Sequence, residues 1–119
     1  ENYILLDSRE LAEYNVSHIE NAIQVGYDKF NAKKIPTIIK DKSAKIVVYC
    51  SIGIRSEKIG EKLLKMGYKN VSNLYGGIFE WKNKGGKLVD NDNKETNKVH
   101  TFDKEWSKYL EKGTKIYDK

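Results

Sequence analysis

The sequence predicts one α/β domain: an open parallel sheet flanked by helices on both faces, with a C-terminal segment docked against it. Three observations carry this. Short apolar runs rich in β-branched residues alternate with segments of helical character, as in successive βαβ units. The run Ile46-Val47-Val48-Tyr49 is apolar without alternation, which a strand shows when both faces of its sheet are covered. Residues 56–66 repeat apolar positions at helical spacing and are followed by Gly67, placed for a left-handed C-cap. A chain of 119 residues suits a single domain able to bury a core without disulfide staples.

The elements follow in order. Tyr3-Ile4-Leu5-Leu6, ending at Asp7, reads as a buried strand. Residues 8–14 are helix formers, with Ser8 or Asp7 placed to cap them. Residues 22–25 make a second strand closed by Gly26, and residues 29–39 stay undecided, with Pro36 starting or breaking a helical turn. After the central strand, helix 56–66 sets Ile59, Leu63, Leu64 and Met66 against Glu57, Lys58, Glu61, Lys62 and Lys65. Residues 71–74 form a further strand, and Gly76-Gly77 turns tightly into a short helix, 78–83, ended by Gly85-Gly86. Residues 90–98 read as a polar loop. The tail, 101–117, holds Phe102, Trp106, Tyr109, Leu110, Ile116 and Tyr117, too many large apolar groups for a free linker. It is expected to pack on the domain, with Trp106, Tyr109 and Leu110 at helical spacing.

Composition narrows the function. Hydrophobic residues at 39% and charged residues at 33% fit a soluble globular protein. No apolar run approaches the roughly 18 residues of a membrane span, and no signal peptide opens the sequence. Cytoplasm remains open, as does periplasm if an upstream signal was removed. The net charge is +5, but of 22 basic residues only Arg9 and Arg55 are arginine, and the lysines are spread among 17 acids. Nucleic-acid binders concentrate charge and use bidentate arginine, so no nucleic-acid partner is expected. The single cysteine, Cys50, excludes an internal disulfide and a cysteine zinc cluster. It is either a buried filler or a reactive thiol.

The neighbourhood of Cys50 favours chemistry. Tyr49-Cys50-Ser51-Ile52-Gly53-Ile54-Arg55-Ser56 runs from the carboxyl end of a buried strand into a helix, the place where open α/β sheets bind ligands. Backbone N–H groups of such a loop, with the positive end of the following helix, cradle anions and favour thiolate over thiol. Gly53 permits the tight turn and Arg55 adds a fixed positive charge.

Several spaced motifs resemble the single-domain rhodanese family of sulfurtransferases over residues 3–86. They are Ile4-Leu5-Leu6-Asp7-Ser8-Arg9 with Glu13-Tyr14, Ser17-His18-Ile19-Glu20-Asn21-Ala22, Val47-Val48-Tyr49-Cys50 with Gly53 and Arg55-Ser56, Gly67-Tyr68 with Val71, and Leu74 through Trp81 around Gly76-Gly77. The resemblance implies a rhodanese-like fold for residues 1–86, with N-terminal edge elements missing or trimmed, and leaves 87–119 as an extension packing on the same domain. It also implies a Cys50 persulfide. Related phosphatases place the loop arginine one position farther from the cysteine, and the shorter loop suits sulfur. In this reading Cys50 and Arg55 are catalytic, Ser51, Ile52, Gly53, Ile54 and Ser56 bind substrate, and Asp7, Arg9, Gly76 and Gly77 support the site. His18 reads as structural. No metal or organic cofactor is implied.

The implied partners are a small sulfur donor, such as thiosulfate or a persulfide, and a thiol or cyanide acceptor, with a sulfur-carrier protein as a further candidate. Two features depart from the family pattern. Ser17 replaces the usual glycine before His18, and no cation precedes Arg55 within the loop. The apolar loop is expected to make thiosulfate a poor donor and to suit a persulfide on a small thiol or a partner protein. The alternative function is a non-catalytic module that senses sulfur or binds protein.

Overall fold

The computed structural model describes residues 2–101 and 106–116. Its centre is a parallel sheet of four strands: β1 (Ile4–Asp7), β3 (Ile23–Gln24), β4 (Lys45–Tyr49) and β5 (Asn70–Asn73), in the order β3-β1-β4-β5. The register aligns Leu5 with Val47 and Asp7 with Tyr49 across β1 and β4, and Val48 with Asn73 across β4 and β5. Every strand therefore ends at the same edge, which carries Asp7, Cys50 and Asn73.

Alternation along the strands divides the apolar side chains between two cores. Leu5 and Tyr49 face one side with Ile78, Phe79 and Leu88, on which helix α1 (Leu11–Val16) lays Tyr14 and helix α4 (Gly77–Asn83) lays Trp81. Leu6, Ile46 and Val48 face the other with Ile35, Ile59 and Leu63, from helices α2 (Ile35–Ile38) and α3 (Ile54–Lys65). Ile46, Val48 and Tyr49 of β4 have no solvent exposure and Val47 is partly buried, as expected of a strand covered on both faces.

Several boundaries differ from the sequence expectation. Helix α1 starts at Leu11, capped through a box between Glu10 and Glu13. Asp7 and Ser8 do not cap it, because the Asp7 carboxylate binds Arg9 and the Ser8 hydroxyl donates to the Tyr49 carbonyl at 2.9 Å. Helix α3 begins before residue 56, and its Leu64 is 51% exposed instead of sharing the buried face of Ile59 and Leu63. The undecided stretch resolves into a 3₁₀ turn, Ala32–Lys34, running into α2 with Pro36 in its first turn.

Two small sheets lie outside the main one. β2 (His18–Ile19) pairs antiparallel with β6 (Leu88–Val89), and β7 (Lys98–His100) pairs parallel with β8 (Thr114–Ile116). The tail holds a 3₁₀ turn, Trp106–Tyr109, and Leu110 and Val99 are buried in the same core as Tyr49 and Phe79. Tyr109 is half exposed. Phe102, Tyr117 and the Trp106 side chain lie outside the described residues. Among the described residues no helix is long and apolar enough to cross a membrane.

Candidate active site

Cys50 follows β4 at the carboxyl edge of the sheet, and its side chain is completely buried. The chain then turns through Ser51 and Ile52 to Gly53, whose φ of 113° lies in the region that glycine adopts without strain. This turn brings the Gly53 N–H to 3.0 Å from the Cys50 Sγ. Gly53 is the N-cap of α3, so the sulfur sits at the positive end of a helix. The Ser56 hydroxyl lies 3.5 Å from the Sγ on the other side.

The first turn of α4 holds the cysteine loop. The Ile78 and Phe79 N–H groups donate to the Cys50 and Ser51 carbonyls at 2.8 and 3.1 Å. That approach requires Gly77, since a Cβ there would collide with both carbonyls, and Gly77 also has a φ of 64°.

Arg55 and Ser51 turn toward α1. The Arg55 Nη1 and Nη2 donate to the Glu13 Oε1 and Oε2 at 2.8 and 2.9 Å, and Nη2 also reaches the Ser51 hydroxyl at 2.9 Å. Burial by itself would raise the Glu13 pKa, but hydrogen bonding and charge from Arg55 overcome it and hold the carboxyl below its ordinary value. Burial works against the Arg55 charge, while Glu13 and then Cys50 favour it, with a net upward shift. The guanidinium thus braces the loop and contributes positive potential near the sulfur.

Asp7 and Arg9 form a second buried ion pair, with Arg9 Nη2 at 2.7 Å from Asp7 Oδ2 and from the Ser17 carbonyl. Tyr49 donates its hydroxyl to the same Asp7 oxygen at 2.7 Å. This network ties β1 and β4 to the turn before β2 and supports the loop without touching the Sγ. His18 stacks on Tyr14 with ring centroids 3.8 Å apart and takes no part in the site.

Beside the cysteine loop opens a cleft of about 530 Å³, which Cys50 itself does not line. Ile52, Gly53 and Ile54 line it from the cysteine loop, with Glu57 from the first turn of α3. Asn73, Tyr75, Gly76, Phe79 and Glu80 form the far side, and Tyr109 arrives from the tail. Of the residues expected to bind substrate, Ile52, Gly53 and Ile54 line this cleft. Ser51 faces Glu13, and Ser56 lies beneath the sulfur.

Sequence reasoning missed Glu13 as the partner of Arg55 and Asn73 as a site residue. Asn73 accepts from the Ser56 hydroxyl at 2.5 Å and donates to the Gly53 carbonyl at 3.1 Å. Its place at the carboxyl end of a parallel strand was the available signal.

The family description "Rhodanese-like domain" matches residues 1–84. Proteins named tRNA uridine(34) hydroxylase are similar: that of Yersinia enterocolitica is 41% identical over 85 residues, covering 68% of this chain and 24% of its own length. That of Hamiltonella defensa is 42% identical over 82 residues, covering 66% and 23%. The chain thus spans about a quarter of the length of these relatives. Among solved structures, a rhodanese with anions from E. coli superposes with a TM-score of 0.65 at 30% identity, over 76% of this chain and all of that one. The rhodanese-like domain of an Anabaena protein gives 0.66 at 27% identity, over 74% of this chain and 65% of that one.

Proposed function

Because the chain belongs to the rhodanese-like domain family, we propose that it is a sulfurtransferase working through a persulfide on Cys50. The Cys50 thiolate attacks the outer sulfur of a donor. The donor's S–S bond breaks and its electron pair leaves with the remainder, as sulfite if the donor is thiosulfate. A nucleophilic acceptor then attacks the outer sulfur of the persulfide, and the pair of that S–S bond returns to Cys50. This is covalent catalysis in two steps.

One observation supports the reading most directly: the Gly53 N–H meets the Sγ at 3.0 Å at the start of α3. A preorganised donor at the helix end stabilises negative charge on sulfur when the thiolate forms and when it is released. Arg55 acts in this scheme as a positioning residue, through its grip on Glu13 and Ser51, and through its charge. Cyanide-dependent thiocyanate formation tests the reading. Parallel double-reciprocal plots and their loss in Cys50→Ser support it. Activity retained in Cys50→Ser would refute it, and a loaded cysteine that never discharges would favour a sulfur-presenting module.

The identity with proteins named tRNA uridine(34) hydroxylase favours a second reading, in which this domain is the cysteine-bearing part of a tRNA-modifying protein. Mass analysis of tRNA nucleosides from cells lacking the gene tests it through loss of the hydroxylated uridine.

A further inference from the structure

The cleft beside the cysteine loop has a chemical character of its own. Ile54, Tyr75 and Tyr109 are 54%, 88% and 49% exposed, and all line it. Large exposed apolar and aromatic groups clustered on one rim mark a protein-docking surface. The charged side chains lining the cleft among the described residues are Glu57 and Glu80, both acids. Glu80 is shared with Lys84 at 3.4 Å, an exposed pair, and Lys108 rests on the Tyr109 ring at 5.3 Å from its centroid. Among the described residues Glu57 makes no ion pair. The Gly53 N–H thus favours negative charge on the sulfur, while the two carboxylates lining the cleft favour a cation.

We propose that the sulfur acceptor is a cysteine in a protein segment flanked by apolar and basic residues, docked between Tyr75 and Tyr109 and held by Glu57 and Glu80. The proposal rests on the sulfurtransferase reading and names its acceptor. Cys50 is buried and does not line the cleft, but Gly53, whose N–H meets the Sγ at 3.0 Å, does, and a persulfide would extend the reactive atom by one S–S bond, about 2.05 Å. The partner's thiolate attacks that outer sulfur. The bond to the Cys50 Sγ breaks, its electron pair stays on the Sγ, and the partner leaves as a persulfide. No oxidant or reductant is consumed. Basic flanks meet the two carboxylates, whereas thiosulfate and acidic thiols are disfavoured at the rim.

Three pentapeptides test this, differing only in flanks: acetyl-Lys-Leu-Cys-Leu-Lys-amide and its Ser and Glu counterparts. Discharge of the persulfidated full chain is followed by mass spectrometry. The lysine peptide should react at least about fivefold faster than the glutamate peptide at low salt, with the ratio shrinking as salt screens the charges. In the double variant Glu57→Gln, Glu80→Gln the ratio should fall toward that of the peptides with a small-molecule persulfide, a comparison that removes their intrinsic reactivity. A second arm needs no sulfur chemistry. Fluorescence anisotropy with Cys-to-Ser peptides on Cys50→Ser protein should show the same order of affinity, weakened by Tyr75→Ala.

Equal rates, a preference for the acidic peptide, or a preference that survives the double variant would overturn the proposal, as would tighter binding of an RNA stem-loop in the same cleft. Discharge to cyanide without charge preference among peptides overturns this inference alone. Failure of Cys50 to take up sulfur overturns the reading beneath it, even if the anisotropy arm finds the basic peptide bound.

Discussion

Arg55 and Glu13 are joined by two parallel hydrogen bonds, 2.8 and 2.9 Å long, between side chains that are 8% and 2% exposed. The pair fastens the start of α3 to α1 across the mouth of the cysteine loop. Two charges withdrawn from water stay compensated only while both are present, so deleting either is expected to be costly. Arg55→Ala and Glu13→Ala should each destabilise by about 3–5 kcal/mol in urea unfolding. Arg55→Lys should recover only part, because an ammonium cannot reproduce the planar fork. Variants of unchanged stability would show that the loop stands without this brace.

The same pair sets an acid limit. The folded Glu13 pKa lies below its ordinary 4.5, so the carboxylate contributes stability that is present above that value and lost as pH falls through the folded pKa. Urea midpoints should decline below about pH 4.5, and more shallowly in Glu13→Gln, whose side chain does not titrate. Glu10, raised by burial and then by Asp28, contributes with the opposite sign and is common to both proteins. Identical acid limbs would contradict the coupling.

Ser56 and Asn73 offer a finer test. Three acceptors surround the Ser56 hydroxyl: the Asn73 Oδ1 at 2.5 Å, the Gly53 carbonyl at 3.2 Å and the Cys50 Sγ at 3.5 Å. Asn73 also holds the Gly53 carbonyl through its Nδ2 at 3.1 Å. Asn73→Ala removes both contacts at once and should slow sulfur uptake by Cys50 at fixed pH more than Ser56→Ala does, as read by intact-mass spectrometry. Equal uptake rates in all three proteins would show that neither side chain orders the loop around the sulfur.

Much of the fold was legible in the sequence because its signals are local. Ile46 through Tyr49 read as a central strand from their uninterrupted apolarity, and Gly67, at a φ of 100°, ends α3 where a glycine was wanted. The errors came where distant partners decide. Asp7 and Ser8 look like helix caps until Arg9 and the Tyr49 carbonyl claim them. Leu64 looks like core, yet it follows Leu63 by one position, about 100° around the helix, and turns to solvent. The grip of Arg55 on Glu13 spans 42 positions, beyond any pattern in the chain. Strands β7 and β8 escaped notice because Lys98, Thr114 and Lys115 are exposed and polar, and only their mutual pairing makes them strands.

The tail divides into a buried and an exposed contribution. Leu110 is 1% exposed among Tyr49, Phe79 and Val99, while its neighbour Tyr109 stands at the cleft. Leu110→Ala should cost about 2–5 kcal/mol, the range for a truncated core leucine. Tyr109→Ala should leave the unfolding midpoint nearly unchanged. Equal and small effects of both would mean that the tail adds nothing to the core.

The Cys50 persulfide is measured most directly by intact-mass spectrometry after incubation with thiosulfate or polysulfide, followed by peptide mapping. A gain of one sulfur atom on Cys50, removed by cyanide and absent from Cys50→Ser, is the expected result. An unmodified Cys50 with both donors, under conditions where a small thiol is persulfidated, would contradict it.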